Sequence, residues 1–205
     1  MHDQTHSKTA RVLGRLTMKL LGWKIQGCYP TSRHSVIIAA PHTSNWDFVY
    51  LIAAMAALGV RIRWLGKASL FNHPLGFIMR WLGGIPVDRS RRNQLVSQIA
   101  QRFETLSSLH IVVPPAGTRS HTDRWRSGFY HIAKAANVPI IYGFLDYPSK
   151  TAGLSQPKAL SDDLRHDMDE IRTFYADKRG KFPDRSSMIR LAEESELPEP
   201  PQPSP

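Results

Sequence analysis

The sequence contains a single cysteine among its 205 residues, so no disulfide bond can form within the chain. It also lacks a long hydrophobic run, since the longest, residues 48–60, is shorter than the ~18 to 20 residues that a membrane-spanning helix needs. The first ten residues are polar and contain no apolar core of a signal peptide. These absences exclude a disulfide scaffold and predict a cytoplasmic chain without a transmembrane helix.

Acidic residues are also scarce. The chain has 17 Asp and Glu against 27 Lys and Arg, which gives a formal net charge of +10. Residues 193–205 hold four glutamates and no basic residue, so the rest of the chain is more basic still. Such a charge favours an anionic partner, which is nucleic acid, an anionic membrane surface or a phosphorylated substrate. Charge alone does not choose among these three.

Strand and helix patterns alternate along the chain after residue 22. Strand patterns cover 23–28, 36–40, 61–66, 109–113 and 139–145, and helix patterns cover 45–58, 74–82, 91–106, 128–136 and 161–178. This alternation is typical of a single α/β domain, with a mostly parallel central sheet flanked by helices. The length of the chain suits one domain with a substantial core.

The sequence divides into four predicted parts. A basic amphipathic helix covers residues 1–22, the core of the domain covers 23–147, a helical extension covers 148–192 and a tail rich in proline and glutamate covers 193–205. The extension begins with a predicted loop at 148–157. The composition of the tail predicts disorder.

Residues 8–22 have the spacing of an amphipathic helix. One side carries apolar residues and the other carries cations: Val12, Leu13, Leu16 and Leu20 against Lys8, Arg11, Arg15 and Lys19. Such a helix can lie in the headgroup region of a membrane, with its cations towards anionic lipid. Alternatively, its apolar side packs on the protein's own core, because apolar spacing is mainly a signal of burial.

His42 and Asp47 lie five residues apart where a predicted buried strand ends. A short loop can fold the Asp47 carboxylate back onto one ring N–H of His42, which leaves the other ring nitrogen free to accept a proton. The pair then forms a general base. A second interpretation is structural, because Ser44-x-x-Asp47 also fits a capping box at the start of the next helix.

Three further segments follow in order along the chain. They are Gly84-Ile85-Pro86-Val87-Asp88-Arg89, Pro115-Ala116-Gly117-Thr118-Arg119-Ser120 and Val138-Pro139-Ile140-Ile141. Together with the His42-x4-Asp47 segment, this ordered set resembles the glycerolipid acyltransferase superfamily, of the lysophosphatidic-acid or 1-acylglycerol-3-phosphate acyltransferase type. The resemblance spans roughly residues 35–146.

The resemblance implies an O-acyltransferase of phospholipid biosynthesis. A fatty acyl group moves from acyl-CoA or acyl carrier protein to the hydroxyl of a lysophospholipid or related polar acceptor, and no cofactor is bound permanently. His42 is then the general base and Asp47 its orienting partner, and the acceptor hydroxyl attacks the thioester directly. Bacterial relatives carry an N-terminal helical membrane anchor, which favours the membrane interpretation of residues 8–22. The expected partners are an anionic membrane surface, the lysolipid acceptor and the acyl thioester donor, without nucleic acid.

Arg89 and Arg119 are the expected anion-binding residues, because a guanidinium group binds phosphate in bidentate fashion. Gly117 lets the backbone approach a substrate closely, and Thr118 offers a hydroxyl group. The resemblance implies that both arginines lie at the phosphate of the acceptor. The alternative for each arginine is a solvated position on the surface.

Ala116 departs from the pattern of the family, which usually has glutamate at this position. The resemblance implies that this carboxylate positions the hydroxyl of the acceptor, so its loss leaves the identity of the acceptor open. It also raises an alternative function, a catalytically impaired lipid-binding protein.

Apolar residues near the second segment either line a tunnel for the acyl chain or belong to the core. They are Phe71, Phe77, Ile78, Trp81 and Leu82. Four histidines are scattered without cysteine or carboxylate neighbours at the spacing of metal ligands: His73, His110, His121 and His131. No metal site is therefore expected.

Overall fold

The computed structural model describes residues 6–27, 29–72, 74, 76–87, 92–161 and 163–196, without the side chains of residues 92 and 93. These residues form six α-helices and seven strands. The helices are α1 (Lys8–Leu20), α2 (Trp46–Leu58), α3 (Gly76–Trp81), α4 (Arg92–Thr105), α5 (Gly128–Ala136) and α6 (Leu164–Tyr175). The strands are β1 (Lys24–Gln26), β2 (His34–Ala40), β3 (Arg63–Lys67), β4 (Gly84–Val87), β5 (Leu109–Val113), β6 (Ile140–Asp146) and β7 (Thr151–Leu154).

The strands form one sheet in the order β1-β7-β6-β2-β5-β3-β4. Neighbouring strands are parallel, except for β6 and β7, which are antiparallel. Strand β2 lies at the centre, where Val36 pairs with Ile111 of β5 and with Ile140 of β6. The prediction of a single α/β domain with a mostly parallel sheet is confirmed.

Side chains of β2 alternate between two hydrophobic cores, one on each face of the sheet. Val36 and Ile38 belong to the core that α4, α5 and α6 cover. Ile37 belongs to the other core, which α1 and α2 cover. Because both faces of this strand are buried, its sequence is a continuous apolar run, as is usual in parallel sheets.

Helix α1 packs on α2 through its smallest residue and not through its leucines. Gly14 lies so close to α2 that a Cβ atom there would come within 2.6 Å of the backbone nitrogen of Ala57. Met18, one turn later, is buried on the same side. The apolar side predicted from the sequence is instead more than half exposed: Val12, Leu13, Leu16 and Leu20. The helix itself is confirmed, but its packing on the core uses a different face from the one that the apolar spacing indicated.

The interpretation of residues 148–157 as a loop is wrong for Thr151–Leu154, which form β7 between β6 and β1. The strand is only four residues long, and its side chains are mostly small, so its intrinsic tendency to form a strand is weak. Close pairing with β1 uses Gly153, where a Cβ atom would lie 2.4 Å from the carbonyl oxygen of Gln26. The segment therefore forms a strand because it pairs with β6 and β1, and not because of its own sequence. Strand β4, at the edge of the sheet, was likewise not predicted.

Helix α2 is less completely buried than its apolar sequence predicts. Trp46 and Val49 are 54% and 47% exposed. Both lie in the first turns of the helix, on the side of the sheet that α1 also covers. No helix in the described part of the chain is both long and apolar enough to cross a membrane.

The predicted disordered tail begins with a short 3-10 helix, Glu193–Ser195, so the prediction is wrong for its first residues. The carboxylate of Glu194 accepts a hydrogen bond from the backbone N–H of Leu191 and forms an ion pair with Arg172 at 2.8 Å. Residues 197–205 lie outside the described residues. The predicted boundaries at residues 22, 147 and 192 stay predictions.

Candidate active site

The loops that follow three parallel strands bring the candidate site together. His42 follows β2, the Gly117-Thr118-Arg119 turn follows β5, and Tyr147 follows β6. Because parallel strands end at the same edge of a sheet, these loops meet there. The site therefore lies at the carboxyl edge of the sheet, next to its centre.

His42 and Asp47 are in contact, as their spacing predicts. The Nδ1 atom of His42 lies 3.2 Å from Oδ2 of Asp47. An ionised carboxylate can only accept a hydrogen bond, so Nδ1 carries the proton and donates it to Asp47. The Nε2 atom of His42 is then the nitrogen that is able to accept a proton. The geometry is that of a general base with an orienting carboxylate.

Three further donors hold the carboxylate of Asp47. The backbone N–H groups of Thr43 and Ser44 donate to Oδ2 at 2.7 and 2.9 Å, and the hydroxyl of Tyr147 donates to Oδ1 at 2.7 Å. The bond from Ser44 is one half of a capping box. The two interpretations of Asp47 therefore combine, because the same carboxylate closes the turn before α2 and contacts His42.

Opposing effects set the pKa of Asp47. Burial raises it, but the hydrogen bonds from His42, Tyr147, Ser44 and Thr43 outweigh burial, so the pKa lies below its ordinary value. Asp47 therefore stays ionised at neutral pH and keeps its role as an acceptor.

Tyr147 is a candidate site residue that the sequence did not indicate. Its ring packs edge-on against Trp23 at 5.0 Å and against Tyr50 at 5.9 Å between ring centres, which fixes the direction of its hydroxyl. Burial, the hydrogen bond to Asp47 and the charge of that carboxylate raise the pKa of Tyr147 well above its ordinary value. The phenol therefore stays protonated and acts as a donor. Only its position directly after a buried strand could have signalled it.

The predicted substrate-binding residues have different positions. Arg119 lines the same cavity as His42 and Asp47 and is exposed at its rim. Gly117 adopts a φ of 69°, which glycine accommodates without strain, and its turn closes with a hydrogen bond to the carbonyl of Pro114. The hydroxyl of Thr118 accepts a hydrogen bond from Ser120 N–H within this turn. Arg89 lies outside the described residues.

An apolar cavity of about 390 Å³ opens on one side of His42, between α2 and the sheet. Its walls are mainly aliphatic and aromatic side chains, among them Phe48, Leu51, Met55, Trp64 and Leu65. This apolar cavity also contains Asp47 and Arg119 at its polar end.

Only some of the apolar residues that were expected to line an acyl-chain tunnel or to belong to the core are buried. Phe71 is buried and stacks on Trp64, a wall residue of the apolar cavity, with 5.8 Å between ring centres. Phe77 and Trp81 are 69% and 82% exposed, so neither is a tunnel or a core residue. The helical spacing of α3 was consistent with burial, but the short helix lies at the edge of the sheet and leaves these two side chains in solvent.

A second cavity of about 360 Å³ opens on the other side and shares the wall Ala39–His42. We call it the C-terminal cavity, because many of its lining residues belong to segment 175–189: Tyr175, Ala176, Lys178, Arg179, Pro183, Ser186, Ser187 and Ile189. Pro115, Ala116 and Trp125 complete the wall. No carboxylate is among the described residues that line it.

Residues 176–191, here called the C-terminal strap, join the loops around the site. The backbone N–H of Phe182 donates to the hydroxyl of Thr43 at 3.2 Å, and that of Arg179 donates to Asp146 at 2.9 Å. Met188 N–H donates to the carbonyl of Thr122 at 3.0 Å. The strap therefore connects the loops that follow β2, β5 and β6.

In the described part of the chain, no group of three or more His, Cys, Asp or Glu side chains is arranged to hold a metal ion.

Comparisons with known proteins agree with the ordered motifs. A family model described as Acyltransferase matches residues 23–142. A 1-acyl-sn-glycerol-3-phosphate acyltransferase of Streptococcus pneumoniae (strain ATCC BAA-255 / R6) is 32% identical over 133 residues, which cover 60% of this chain and 48% of that protein. A protein of the same name from Limnanthes alba is 29% identical over 140 residues, which cover 63% and 48%. The chain thus spans about half the length of these curated relatives.

A solved structure has the same fold. The crystal structure of the 1-acyl-sn-glycerophosphate (LPA) acyltransferase PlsC from Thermotoga maritima superposes with a TM-score of 0.55. The alignment covers 80% of this chain and 75% of that one, at 16% sequence identity. At this identity, the likeness shows a shared fold.

Proposed function

Since this chain belongs to the acyltransferase family, we propose that it transfers a fatty acyl group from a thioester donor to the hydroxyl group of a lysophospholipid or a related polar acceptor. The observation that carries this proposal is the position of the His42–Asp47 pair where two cavities meet. One cavity is apolar and suits an acyl chain, while the other contains cations and hydroxyl groups. Two chemically different substrates can therefore reach the same base.

The reaction begins when Nε2 of His42 takes the proton of the acceptor hydroxyl, while Asp47 holds the ring through Nδ1–H. The acceptor oxygen forms a bond to the carbonyl carbon of the thioester. The resulting tetrahedral intermediate breaks its carbon–sulfur bond, and the leaving thiolate takes the proton from His42. The imidazolium that exists between these two proton transfers is stabilised by the adjacent carboxylate.

The acyl chain of the donor occupies the apolar cavity, against side chains such as Leu51 and Met55. Arg119, at the polar end of that cavity, binds the phosphate of the acceptor together with Arg89. Gly117 and Thr118 form the turn that presents Arg119. The donor is acyl-CoA or acyl carrier protein, which acts as a co-substrate and leaves after each turnover.

Thiol release and lipid acylation test this function. Acyl-CoA and acyl carrier protein are supplied in turn as donors, with lysophosphatidic acid as acceptor, and the acylated lipid is measured by mass spectrometry. We expect the parent protein to release thiol and to form phosphatidic acid, and His42→Ala to do neither while melting at the same temperature. A parent protein that binds the lysolipid but gives no more product than His42→Ala would support the lipid-binding alternative.

A peripheral position on an anionic membrane surface belongs to the same proposal. Four apolar side chains of α1 are more than half exposed, and three cations of the helix are exposed as well. The apolar side chains are Val12, Leu13, Leu16 and Leu20, and the cations are Arg11, Arg15 and Lys19. The net charge of +10 has the sign that anionic lipid attracts. Helix α1 thus has both the apolar face and the charge that an interfacial helix needs.

Cosedimentation with vesicles tests this position. The double variant Leu16→Glu/Leu20→Glu should leave most of the protein in the supernatant of vesicles rich in anionic lipid, and added salt should weaken the binding of the parent protein. The matched control is Leu106→Glu, because Leu106 is an exposed leucine that follows α4 on the other side of the sheet. Equal binding of the double variant and the parent would contradict the proposal.

A further inference from the structure

The C-terminal cavity has an excess of positive charge. Lys178 and Arg179 both line it, together with the hydroxyl-bearing residues Ser186 and Ser187. The guanidinium of Arg179 donates to the carbonyl of Ala176, and within the described residues it forms no ion pair. The ammonium of Lys178 forms an ion pair with the carboxylate of Asp177 at 2.7 Å. An anionic group that entered this cavity would therefore meet Arg179, which has no such pair among the described residues, and beside it Lys178, which already has one.

The wall that carries these cations is fixed by hydrogen bonds at several points. Arg179 is held through its backbone N–H by Asp146, and its carbonyl accepts a hydrogen bond from the N–H of Tyr147 at 3.0 Å. The ammonium of Lys178 lies over the rings of Phe144 and Phe174, at 5.1 and 5.6 Å. Cations held in this way lose little conformational freedom when a ligand binds, which favours affinity.

Ala116 lines the same cavity. Compared with the glutamate that is usual in the family, its side chain is smaller and carries no negative charge. Its side chain is buried in the wall opposite the C-terminal strap. A glutamate at this position would place a carboxylate in a cavity that contains the two cations. With alanine, this space is open, and no carboxylate among the described lining residues pairs with Arg179, so a substrate can supply one.

The cavity reaches the reacting atoms and lies apart from Arg119. It shares the wall that ends in His42 with the apolar cavity, whereas Arg119 lines the apolar cavity alone. A molecule whose hydroxyl lies at His42 can thus have one anionic group near Arg119 and a second one near Lys178 and Arg179.

We propose that the C-terminal cavity binds a second anionic group of the acceptor, so that the preferred substrate is a lysophospholipid whose headgroup continues beyond its phosphate and ends in a carboxylate or a phosphate. This inference rests on the proposed function and names the substrate class of that site. Specificity for the headgroup is then set by a segment that lies after residues 23–142, the part of the chain that the family model matches.

A matched pair of acceptors tests the proposal. Lysophosphatidylethanolamine is acylated on its amine either with a succinyl group, which ends in a carboxylate, or with a butyryl group of the same length and no charge. We expect kcat/KM of the parent protein to be at least about 10-fold higher for the succinyl compound, the scale of one hydrogen bond between charged groups. Equal use of the two compounds, with normal use of lysophosphatidic acid, would overturn this proposal and leave the proposed function intact.

Charge variants locate the preference in the cavity. Lys178→Gln and Arg179→Gln should raise KM for the succinyl compound about 10-fold with kcat nearly unchanged, and should leave the butyryl compound unaffected. Arg179→Lys should retain part of the preference because it keeps the charge. The control is Lys181→Gln, a neighbouring cation of the strap that does not line the cavity. A preference that survives both glutamine variants would overturn the proposal.

Ala116→Glu and Ala116→Gln form a second matched pair, because they add the same bulk and differ in charge. The glutamate variant should have a KM for the succinyl compound about 10-fold above that of the glutamine variant, and the two should not differ with the butyryl compound. Calorimetric titration of His42→Ala with both compounds measures binding without turnover. Tighter binding of the succinyl compound there supports the cavity assignment even if no acyl transfer is found, and equal binding contradicts it.

Discussion

The two cavities that meet at His42 are formed by different parts of the chain. Most residues that line the apolar cavity lie within 23–142, the range of the family match. About half of the residues that line the C-terminal cavity belong to the segment 175–189. Under the proposed function, the acyl-binding side, the base and Arg119 belong to the range of the family match, while the proposed site for a second anionic group depends in part on a later segment. The two proposals thus assign the chemistry of acyl transfer and the choice of headgroup to different parts of the chain.

The largest loss of activity is expected at the His42–Asp47 pair, because both cavities open onto His42. Asp47→Asn should lower kcat/KM by about 10²-fold or more, the usual scale of general-base catalysis, because an amide cannot stabilise the imidazolium as a carboxylate does. The measurement is steady-state transfer with several donors and acceptors. Asp123→Asn, which changes an exposed carboxylate, serves as the control. A loss confined to one class of substrate would contradict a shared base.

The apolar cavity should control the length of the acyl chain without affecting the headgroup. Leu51→Trp places a larger side chain in its wall, and each methylene group that loses its place costs about 0.8 kcal/mol. Transfer from a donor with a 16-carbon chain should fall roughly 10-fold relative to one with 8 carbons. Val49→Trp is the control on the same helix, since Val49 is exposed and does not line the cavity. An unchanged ratio would show that the acyl chain lies elsewhere.

Tyr147 contacts both the His42–Asp47 pair and the C-terminal strap. Its hydroxyl donates a hydrogen bond to Asp47, and its backbone N–H donates one to Arg179 of the strap. Tyr147→Phe removes one of the hydrogen bonds that lower the pKa of Asp47, so this pKa should rise. The rise in the pKa of the Asp47 carboxyl can be followed by NMR titration, and kcat/KM at neutral pH should fall a few-fold because the carboxylate that orients His42 loses one of its hydrogen bonds. Tyr50→Phe removes a neighbouring hydroxyl and leaves the bond to Asp47 in place. An unchanged Asp47 pKa together with an unchanged kcat/KM in Tyr147→Phe would exclude a positioning role.

The smallest effect on activity is expected at His110, which lies in β5 and lines neither cavity. Burial first, and the charge of His34 second, lower the pKa of His110 to about 4. The unfolded chain, with an ordinary histidine pKa of 6.5, binds more protons between pH 6.5 and 4, so stability falls as the pH drops through this window. The loss attributable to His110 is about 3 kcal/mol.

Urea unfolding at pH 7, 5.5 and 4.5 checks this dependence. His110→Gln should flatten the decline of the free energy of unfolding and leave acyl transfer at pH 7 within about twofold of the parent. An equally steep decline in the variant would assign the pH dependence to other groups. A large loss of acyl transfer in His110→Gln would show that activity depends on this part of the sheet as well as on the two cavities.

Local patterns predicted most of the fold, and pairing between distant segments accounts for what they missed. Periodicity located the six helices of the described residues and the strands β1, β2, β3, β5 and β6. Strands β4 and β7 are four residues long and each contains a glycine, and they form by pairing: β4 with β3, and β7 with the preceding strand β6 and the distant strand β1. The sequence also did not predict which face of α1 is buried. The helix packs through the close backbone contact at Gly14, and its leucines stay exposed.

The same distinction applies to the site. His42 and Asp47 could be predicted as a pair because one short loop contains both. Tyr147 is separated from Asp47 by 100 residues, and only the order of strands brings the two together. Lys178 and Arg179 follow α6 and reach the site because the strap returns across the ends of the strands. No spacing within the sequence encodes such a return.

At Gly14 the backbone of α1 lies against the backbone of α2, and the nearest side-chain atom is the Cβ of Ala56, which has no rotamers. Such a contact is stiff, because no side chain is present that could change its rotamer and absorb a displacement. The other end of α2 carries Asp47 in its first turn. A rigid movement of α1, such as a change of its depth or tilt in a lipid surface, would be transmitted along α2 to the carboxylate that orients His42. The contact at Gly14 would thus couple the proposed position of α1 on a membrane to the alignment of His42.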